Sequence, residues 1–240
     1  MSLPPNSANP LSRRNLLRLA GYSAGGMLLT GASLTLLENL AGRATEPLNQ
    51  KLEELLFQSQ MPVPEFPVSA IEPENLIVNT YGFTPEINLT SFRLTVDGEV
   101  GNPLALDLAT VQRMPRKSMV IRHVCVEGWA AIVQWAGVPL RDLIQLAQPK
   151  PGVRYAYFFS ADGYYESWDL ASCLHPQTVL AYEKNGAPLP IENGAPLRLA
   201  SPIKLGYKLS KWVTRVTLVS QLRSRRGYWE DQSYEWFAGL

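Results

Sequence analysis

Cys125 is the residue of this sequence best suited to hold a metal ion. It lies in the run Arg122-His-Val-Cys-Val-Glu-Gly-Trp129 and is one of two cysteines in the chain. A cysteine thiolate is a soft ligand, and coordination to a metal keeps its sulfur deprotonated. Two other interpretations stay open from the residue alone. Cys125 also suits a buried, small apolar role, and an oxidising compartment permits a Cys125–Cys173 disulfide.

The two histidines and the C-terminal aromatic residues have less specific interpretations. His175 precedes Pro176 and is predicted to be structural and hydrogen-bonded. His123 lies close enough in sequence to Cys125 either to tune a metal ligand or to pack beside it. The C-terminus carries Arg223-Ser-Arg-Arg226 and several aromatic residues. Their side chains are predicted to pack the tail onto the domain, with docking of an electron-transfer partner as the alternative.

Four parts of the sequence resemble, in the same order, the molybdopterin domain of the sulfite oxidase family. That family includes a periplasmic methionine sulfoxide reductase subunit as well as the sulfite oxidases. The most specific feature is Cys125-Val-Glu-Gly-Trp129 followed at this distance by Asn193-Gly-Ala-Pro-Leu-Arg198. The resemblance covers roughly residues 75–219. The other matching runs are Val78-Asn-Thr-Tyr81 with 92–98, then 135–142, then Leu174-His-Pro176 with Leu180-Ala181, and finally 204–211.

The resemblance implies a bound Mo-molybdopterin cofactor and a set of residues that hold it. Cys125 is implied to be the thiolate ligand of molybdenum and the catalytic residue. Ser160 is implied to lie near the cofactor, at the end of an aromatic strand. The other implied cofactor-binding residues are Asn79 at the pterin, Asn193 and Arg198 at its polar edge and phosphate, and the phosphate-contacting turn Leu209, Ser210 and Lys211.

These residue types suit a pterin that ends in a phosphate. Amide side chains pair with the donors and acceptors of a pterin. Arginine forks, lysine charges and backbone N–H groups bind phosphate. Lys204 and Lys208 add, in sequence, to the positive charge of Arg198 and Lys211. The alternatives are a solvated strand edge for the lysines and a turn role for Asn193.

The activity implied by the resemblance is oxygen-atom transfer at molybdenum, between a small-molecule substrate and water. The chain has no haem or flavin motif of its own, so we expect a cytochrome or a membrane quinol-linked subunit as the electron-transfer partner. The direction stays open between oxidation of sulfite and reduction of an S- or N-oxide. The segment between Ser160 and Leu170 is shorter than in the reductase subunit, so the substrate does not carry over. A metal-free periplasmic binding module of the same fold is the remaining alternative.

The elements that must position these residues are strands mixed with short helices. Alternation and apolar runs predict strands at 92–98, 118–126, 155–160, 164–170, 178–182, 197–200 and 212–221. Helical spacing predicts helices at 48–57, 106–114, 138–147 and 170–174. Because the order has no regular βαβ pattern, we predict an α+β domain of the sulfite oxidase type, with mixed sheets.

The N-terminus has the features of an export signal. Ser12-Arg-Arg-Asn-Leu-Leu-Arg18 is a twin-arginine pattern, and an uncharged apolar run of about 19 residues follows it. We therefore predict a periplasmic protein, exported in the folded state by the twin-arginine route. As a helix the run reaches roughly 28 Å, close to the ~30 Å of a bilayer core. The segment is therefore either cleaved or kept as a membrane anchor.

Composition supports a globular protein in three segments. Hydrophobic residues make up 46% and charged residues 18%, which is typical of a folded domain. The formal net charge is only +1, so no nucleic-acid partner is expected. The predicted segments are the signal or signal-anchor at 1–45, a Pro-rich connector at 46–74 and the oxidoreductase domain at 75–240.

Overall fold

The computed structural model describes Leu52 and residues 57–240, within the unit Leu52–Leu240. The signal predicted at 1–45 and nearly all of the helix predicted at 48–57 lie outside the described residues. Within the described part, no helix has the length and apolar character needed to cross a bilayer. The boundary predicted between connector and domain at 74/75 stays a prediction.

Ten strands in the described residues form two five-stranded sheets. Where a strand has one buried face, its burial follows a period of two. In the first strand, for example, Leu94 and Val96 are buried while Thr95 and Asp97 are partly exposed. In chain order the strands are β1 (Leu94–Gly98), β2 (Leu104–Leu106), β3 (Lys117–Val124), β4 (Ala130–Pro139), β5 (Tyr155–Ser160), β6 (Tyr165–Asp169), β7 (Val179–Lys184), β8 (Ala187–Pro188), β9 (Arg198–Ala200) and β10 (Val213–Val219).

The two sheets differ in how their strands pair. The first sheet has the order β2-β1-β10-β5-β6, in which β1 and β10 are parallel and the other pairs are antiparallel. The second has the order β3-β4-β7-β8, with β9 also paired to β7, and all of its pairs are antiparallel. The mixture of sheets and short helices confirms the predicted α+β class.

Within residues 57–240, three short α-helices connect the strands. They are α1 (Leu108–Arg113), α2 (Leu140–Ala147) and α3 (Leu170–Cys173). Asp107 caps α1 by accepting the Thr110 N–H at 2.7 Å, and Asp169 caps α3 by accepting the Ser172 N–H at 2.7 Å. The 3-10 turns are Val68–Ala70, Pro73–Asn75, Ile191–Asn193, Gly206–Lys208 and Glu230–Gln232.

The second sheet contributes to two separate apolar cores, and this determines where β9 directs its side chains. Leu197 and Leu199 pack in the larger core with the first sheet, whereas Ala200 packs in the smaller core around Trp135. Because side chains alternate along a strand, Arg198 faces the same side as Ala200. Its guanidinium carbon lies 4.5 Å from the centre of the Trp135 ring.

Every element predicted within the described residues is present, with ends that differ by two residues or fewer. β4, like the short strands β2 and β8, was not predicted. Its sequence is rich in Ala and ends in Gly-Val-Pro, and its second half is buried on both faces. Gly137 lies so close to β7 that an added Cβ would be 2.0 Å from the Leu180 carbonyl oxygen. The second half of this strand, buried on both faces, lacks the alternation that identifies strands in a sequence.

The connector residues after Met61 lie against the second sheet. The Phe66 N–H donates to the Val120 carbonyl at 2.9 Å, and the Glu72 N–H donates to the Ile132 carbonyl at 2.9 Å. His175 is buried and supports this path, because its Nε2 lies 3.0 Å from the Met61 carbonyl oxygen while its Nδ1 accepts the Gln177 N–H. His175 is therefore structural, as predicted.

Candidate functional site

A cavity of about 350 Å³ brings together seven of the eight site residues predicted from the sequence. Cys125, Asn79, Asn193, Arg198, Leu209, Ser210 and Lys211 all line it. Ser160 does not. It lies at the end of β5, and its buried hydroxyl has no partner among the described residues. The turn after it, which carries Asp162 and Tyr164, lines the cavity in its place.

Cys125 begins the turn that connects β3 to β4. Its N–H donates to the Trp129 carbonyl at 2.9 Å, and its carbonyl accepts the Gly128 N–H at 3.2 Å. Gly128 has φ = 89°, a left-handed conformation that glycine adopts without a side-chain penalty. The turn leaves the Cys125 thiol half-buried in the cavity wall. Burial raises the pKa of this thiol, and the charge of Glu127 adds to the effect.

Glu127 connects the Cys125 turn to Asn79. Its Oε2 accepts hydrogen bonds from Asn79 Nδ2 and from Trp129 Nε1, both at 2.9 Å. The Cys125 sulfur lies 3.7 Å from the same oxygen. The hydrogen bonds from Trp129 and Asn79 lower the pKa of the Glu127 carboxyl. A negative charge is therefore fixed beside the thiol at neutral pH.

Arg198 is a buried cation without a carboxylate partner among the described residues. Its side chain is 5% exposed and donates only to backbone carbonyls, those of Asn193 at 2.9 Å, Leu199 at 3.2 Å and Leu209 at 3.4 Å. Burial lowers the pKa of this guanidinium to about 9. A buried charge is costly unless it is paired. Arg198 therefore makes this wall of the cavity attractive to an anion.

Lys211, Ser210 and Asn193 surround Arg198. Lys211 donates to the Glu192 carbonyl at 2.9 Å and to the Asn79 carbonyl. Burial, followed by the charge of Arg198, lowers the pKa of Lys211 to about 8. The Ser210 hydroxyl is buried without a partner among the described residues, and the Asn193 side-chain oxygen accepts from Lys184 Nζ at 2.9 Å. Buried polar groups are normally paired, so the Ser210 hydroxyl has bonding capacity left for a ligand.

His123 also lines the cavity, and it is neutral. Burial, with the charge of Arg198, lowers the pKa of His123 to about 3. Its ring stacks on Trp129 at 5.8 Å between centroids, and its Nδ1 has no partner in the described structure. Gly206 packs against it, because an added Cβ there would lie 3.2 Å from His123 Nε2. His123 thus both packs beside the Cys125 turn and faces the cavity.

Lys204 and Lys208 do not belong to the cavity wall, contrary to the sequence-based prediction of one basic cluster. Both side chains are buried and paired with carboxylates, Lys204 with Asp169 at 3.4 Å and Lys208 with Glu166 at 2.5 Å and with Glu230. The alternative of a solvated strand edge is also wrong for these two residues. Cys173 is a free, buried thiol in the larger core, so the Cys125–Cys173 disulfide is not formed.

The exposed part of the cavity lining, here called the rim, differs in chemistry from the buried part. The rim carries no cation and a single carboxylate, that of Glu127. Only Asn79 of the rim was predicted as a site residue, although five other rim residues stand in the runs 78–81 and 125–129 that resemble the family. The rim consists of Ile77, Val78, Asn79, Thr80, Tyr81, Val126, Glu127 and Tyr234.

Comparisons of the sequence with known proteins match most of this chain. Residues 81–229 match the family described as "Oxidoreductase molybdopterin binding domain". The chain is 36% identical, over 238 residues, to a putative protein-methionine-sulfoxide reductase subunit, YedZ1, of Azospira oryzae. That match covers 95% of this chain and 88% of the relative.

The structure is also similar to the sulfane dehydrogenase SoxCD of Paracoccus pantotrophus. The TM-score is 0.56 at 26% sequence identity, over 59% of this chain and 42% of that chain. This protein therefore corresponds to less than half of the SoxCD chain. The family match and the YedZ1 relative both cover more than half of the sequence. The chain belongs to the oxidoreductase molybdopterin-binding domain family, the sulfite oxidase family, and is a molybdenum-dependent oxidoreductase whose cofactor is Mo-molybdopterin.

Proposed function

We propose that this protein reduces an uncharged sulfoxide, taking electrons from a separate redox partner. The observation that carries the proposal is the division of the cavity. Arg198, buried without a carboxylate partner among the described residues, lies in its inner wall, a half-buried thiol lies in the wall at Cys125, and the rim has no cation. The buried arginine and the thiol suit the cofactor, and the rim without a cation suits an uncharged substrate.

The inner wall fits the phosphate end of the cofactor. Arg198 is buried without a counter-charge, and the Ser210 hydroxyl is buried without a hydrogen-bond partner among the described residues. Phosphate supplies both a negative charge and acceptor oxygens. Lys211 adds a second cation beside Arg198. In this proposal Arg198, Ser210 and Lys211 hold the phosphate, while Asn193 and Asn79 orient the pterin.

Cys125 is proposed as the protein's ligand to molybdenum. The thiol is held by a rigid turn in the cavity wall, and a metal ion stabilises the thiolate that burial alone disfavours. When bound, the cofactor supplies a metal that exchanges an oxygen atom and two electrons with the substrate. Glu127 fixes the positions of Trp129 and Asn79 on either side of this turn.

The charge of the rim favours a neutral substrate over an oxyanion. Sulfite carries negative charge and needs cations at its binding site, but the only charged group of the rim is the Glu127 carboxylate. Like charges repel, so this carboxylate disfavours sulfite. A sulfoxide is uncharged, and its carbon substituents are compatible with Val78, Tyr81 and Val126. The relative from Azospira oryzae, named as a methionine-sulfoxide reductase subunit, supports the same direction.

The proposed reaction consumes two electrons and two protons per sulfoxide and yields a sulfide and water. We expect the electrons to come from a cytochrome or a membrane quinol-linked subunit, because the sequence carries no haem or flavin motif. The name of the relative, a reductase subunit, supports a partner. Export to the periplasm by the twin-arginine route is part of the proposal. Replacing Arg13 and Arg14 with lysine should leave the protein in the cytoplasmic fraction, and unchanged export would contradict that route.

Metal content and direction of turnover test the proposal. The protein would be produced in a host that makes molybdopterin, and its molybdenum measured by mass spectrometry. We expect close to one molybdenum per chain, lost in Cys125→Ser and kept in the matched variant Cys173→Ala. The wild type should reduce methionine sulfoxide with a reduced viologen dye as electron donor. Molybdenum that persists in Cys125→Ser would rule out Cys125 as the ligand.

Two further outcomes would contradict the proposal in different ways. Oxidation of sulfite with ferricyanide, without reduction of any sulfoxide, would reverse the direction of the reaction. Protein free of molybdenum from a competent host would instead favour a binding module of the same fold.

A further inference from the structure

Aromatic side chains from the C-terminal segment border the same cavity. Trp229 and Tyr234 line it, and their ring centroids lie 4.9 Å apart. Tyr207 also lines the cavity and packs edge-on against Tyr234 at 5.5 Å. These three residues are called the aromatic wall below. Tyr234 is 40% exposed, so the wall reaches from the cavity to its mouth.

A buried cluster of charged side chains packs beside the aromatic wall and holds its C-terminal segment in place. Glu230, the residue after Trp229, pairs with Lys208, which also lies 2.5 Å from Glu166. The Lys208 and Glu166 side chains are both 0% exposed. Gly227 makes room for them, because an added Cβ would lie 2.0 Å from Glu230 Oε2 and 2.7 Å from Glu166 Oε1.

Further contacts fix the segment on both sides of this cluster. Trp236 Nε1 donates to the Ser167 hydroxyl at 2.9 Å, and the Tyr228 N–H donates to the Tyr165 carbonyl at 3.0 Å. The Tyr207 hydroxyl donates to the Glu235 carbonyl at 2.6 Å. A buried cluster of two carboxyl groups and one ammonium group is more than a surface segment needs to stay packed on the domain. The cluster holds Trp229 and Tyr234 in one position.

The chemistry of the wall indicates what it contacts. Aromatic faces bind sulfur and methyl groups favourably, and they supply no charge for a phosphate or an oxyanion. The cofactor's anionic end already has the inner wall at Arg198. The aromatic wall therefore faces the part of the cavity that is left for substrate.

We propose that Trp229 and Tyr234 determine specificity by contacting the carbon substituents of the sulfoxide, with Glu230 and Lys208 as their positioning residues. This inference rests on the proposed sulfoxide reduction. It predicts selection for sulfoxides with a larger apolar substituent over dimethyl sulfoxide. The wall acts on substrate binding and leaves the cofactor site unchanged.

The first test compares two sulfoxides in the holoenzyme. In Tyr234→Leu and Trp229→Leu, the KM for methyl p-tolyl sulfoxide should rise about two- to tenfold. The KM for dimethyl sulfoxide and both kcat values should change by less than about twofold, with molybdenum content unchanged. Tyr234→Phe, which keeps the aromatic ring, should have the wild-type KM for both sulfoxides. Phe159→Leu, an aromatic-to-leucine change on β5 outside the cavity lining, is the matched control. Equal KM values in all variants, or loss of molybdenum from the wall variants, would overturn the proposal.

The second test concerns the positioning residues. Glu230→Gln keeps the volume of the side chain but removes the charge that pairs with Lys208. It should raise the KM for methyl p-tolyl sulfoxide in the same selective way. The double variant with Tyr234→Leu should be no worse than Tyr234→Leu alone, because both changes remove one contact. Additive effects on KM would mean that Glu230 does not act through the wall.

A binding measurement separates this inference from the proposed function. The probe is the product sulfide, methyl p-tolyl sulfide, titrated into the holoenzyme by calorimetry. Its Kd should rise about two- to tenfold in Tyr234→Leu and stay unchanged in Phe159→Leu. If the wild type reduces no sulfoxide but the Kd values for the sulfide change as expected, the proposed function is contradicted. The role of the aromatic wall in binding the carbon substituents is then still supported. An unchanged Kd in Tyr234→Leu overturns the aromatic wall even if sulfoxide is reduced.

Discussion

Arg198 and Lys208 are both buried cations from one stretch of sequence, but only one of them is balanced within the fold. Lys208 has two carboxylates, those of Glu166 and Glu230. Burial lowers the pKa of Lys208, but these two charges outweigh it and raise the pKa overall. Arg198 has only backbone carbonyls as partners among the described residues, and burial lowers its pKa to about 9.

This difference in partners distinguishes Lys208, a cation that stabilises the fold, from Arg198, a cation proposed to bind a ligand. Burial of the charges raises the pKa of the Glu166 carboxyl well above its usual range, despite the charge of Lys208. Lys208 lies against both the Glu166 and the Glu230 carboxyl groups, so its charge is balanced within the fold. Arg198 has no such neutralising group in the described structure. In the proposed function, the phosphate of the cofactor supplies its counter-charge.

The largest expected effect is a loss of stability when Lys208, the cation balanced within the fold, is replaced. Lys208→Met leaves two buried carboxyl groups together without a cation. We expect the free energy of unfolding to fall by about 3–5 kcal/mol, as for other buried ion pairs that lose one partner. Urea denaturation of the cofactor-free protein measures this change. Lys150→Met, at an exposed lysine, should change the same quantity by about 0.5 kcal/mol or less. Similar stability for the two variants would mean that Lys208 is not a structural cation.

The next largest effect is a loss of cofactor affinity when Arg198, which has no carboxylate partner among the described residues, is replaced. Arg198→Gln removes the charge but keeps donors for the neighbouring carbonyl groups. Cofactor affinity should weaken by about 1.5–3 kcal/mol, the usual strength of hydrogen bonds to charged groups. The stability of the cofactor-free protein should change by about 1 kcal/mol or less. Molybdenum content after dialysis and urea denaturation measure the two quantities. A large loss of stability without loss of molybdenum would reverse the roles assigned to Arg198 and Lys208.

The sequence predicted the elements of the fold better than it predicted these two roles. The predicted strands and helices within the described residues are present, because their apolar spacing is a local property. β4 escaped prediction because its fit depends on contact between Gly137 and β7, which is a tertiary property. Seven of the eight predicted site residues line the cavity, since the resemblance to the sulfite oxidase family identified them.

The sequence failed where the outcome depends on partners far away in the chain. Lys208 is only three residues from Lys211, and both are basic residues in the same segment. They differ because β6 and the C-terminal segment bring Glu166 and Glu230 to Lys208 alone. Tyr234 is one of the C-terminal aromatic residues that were predicted to pack the tail or, as the alternative, to dock a partner, yet it lines the cavity. Pairing across such separations has no signal in local composition.

Two glycines allow the comparison to be tested without changing a charged residue. Gly227→Ala places a Cβ 2.0 Å from Glu230 Oε2, so it should lower the free energy of unfolding by about 1–3 kcal/mol. Gly194 has φ = 113°, and its Cβ would lie 3.0 Å from the Arg198 Cβ and 2.9 Å from the Lys211 Cβ. Gly194→Ala should cost a similar amount through backbone strain, but it should also lower molybdenum content. Loss of molybdenum in Gly227→Ala alone would link the balanced cluster, rather than Arg198, to the cofactor.

The smallest expected effect is the pH dependence of anion binding in the inner wall. Lys211 must be protonated to attract phosphate, and its pKa is lowered to about 8 by burial and by the charge of Arg198. The affinity of the cofactor-free protein for inorganic phosphate should therefore be greatest below pH 8 and fall a few-fold as the pH rises through 8. The pKa of about 9 at Arg198 extends the fall to higher pH. Calorimetry from pH 6.5 to 9.5 measures this profile, and Lys211→Met serves as the reference because phosphate's own titration is the same in both proteins. If the two profiles are parallel, Lys211 does not contact the anion, and Arg198 alone provides the charge of the inner wall.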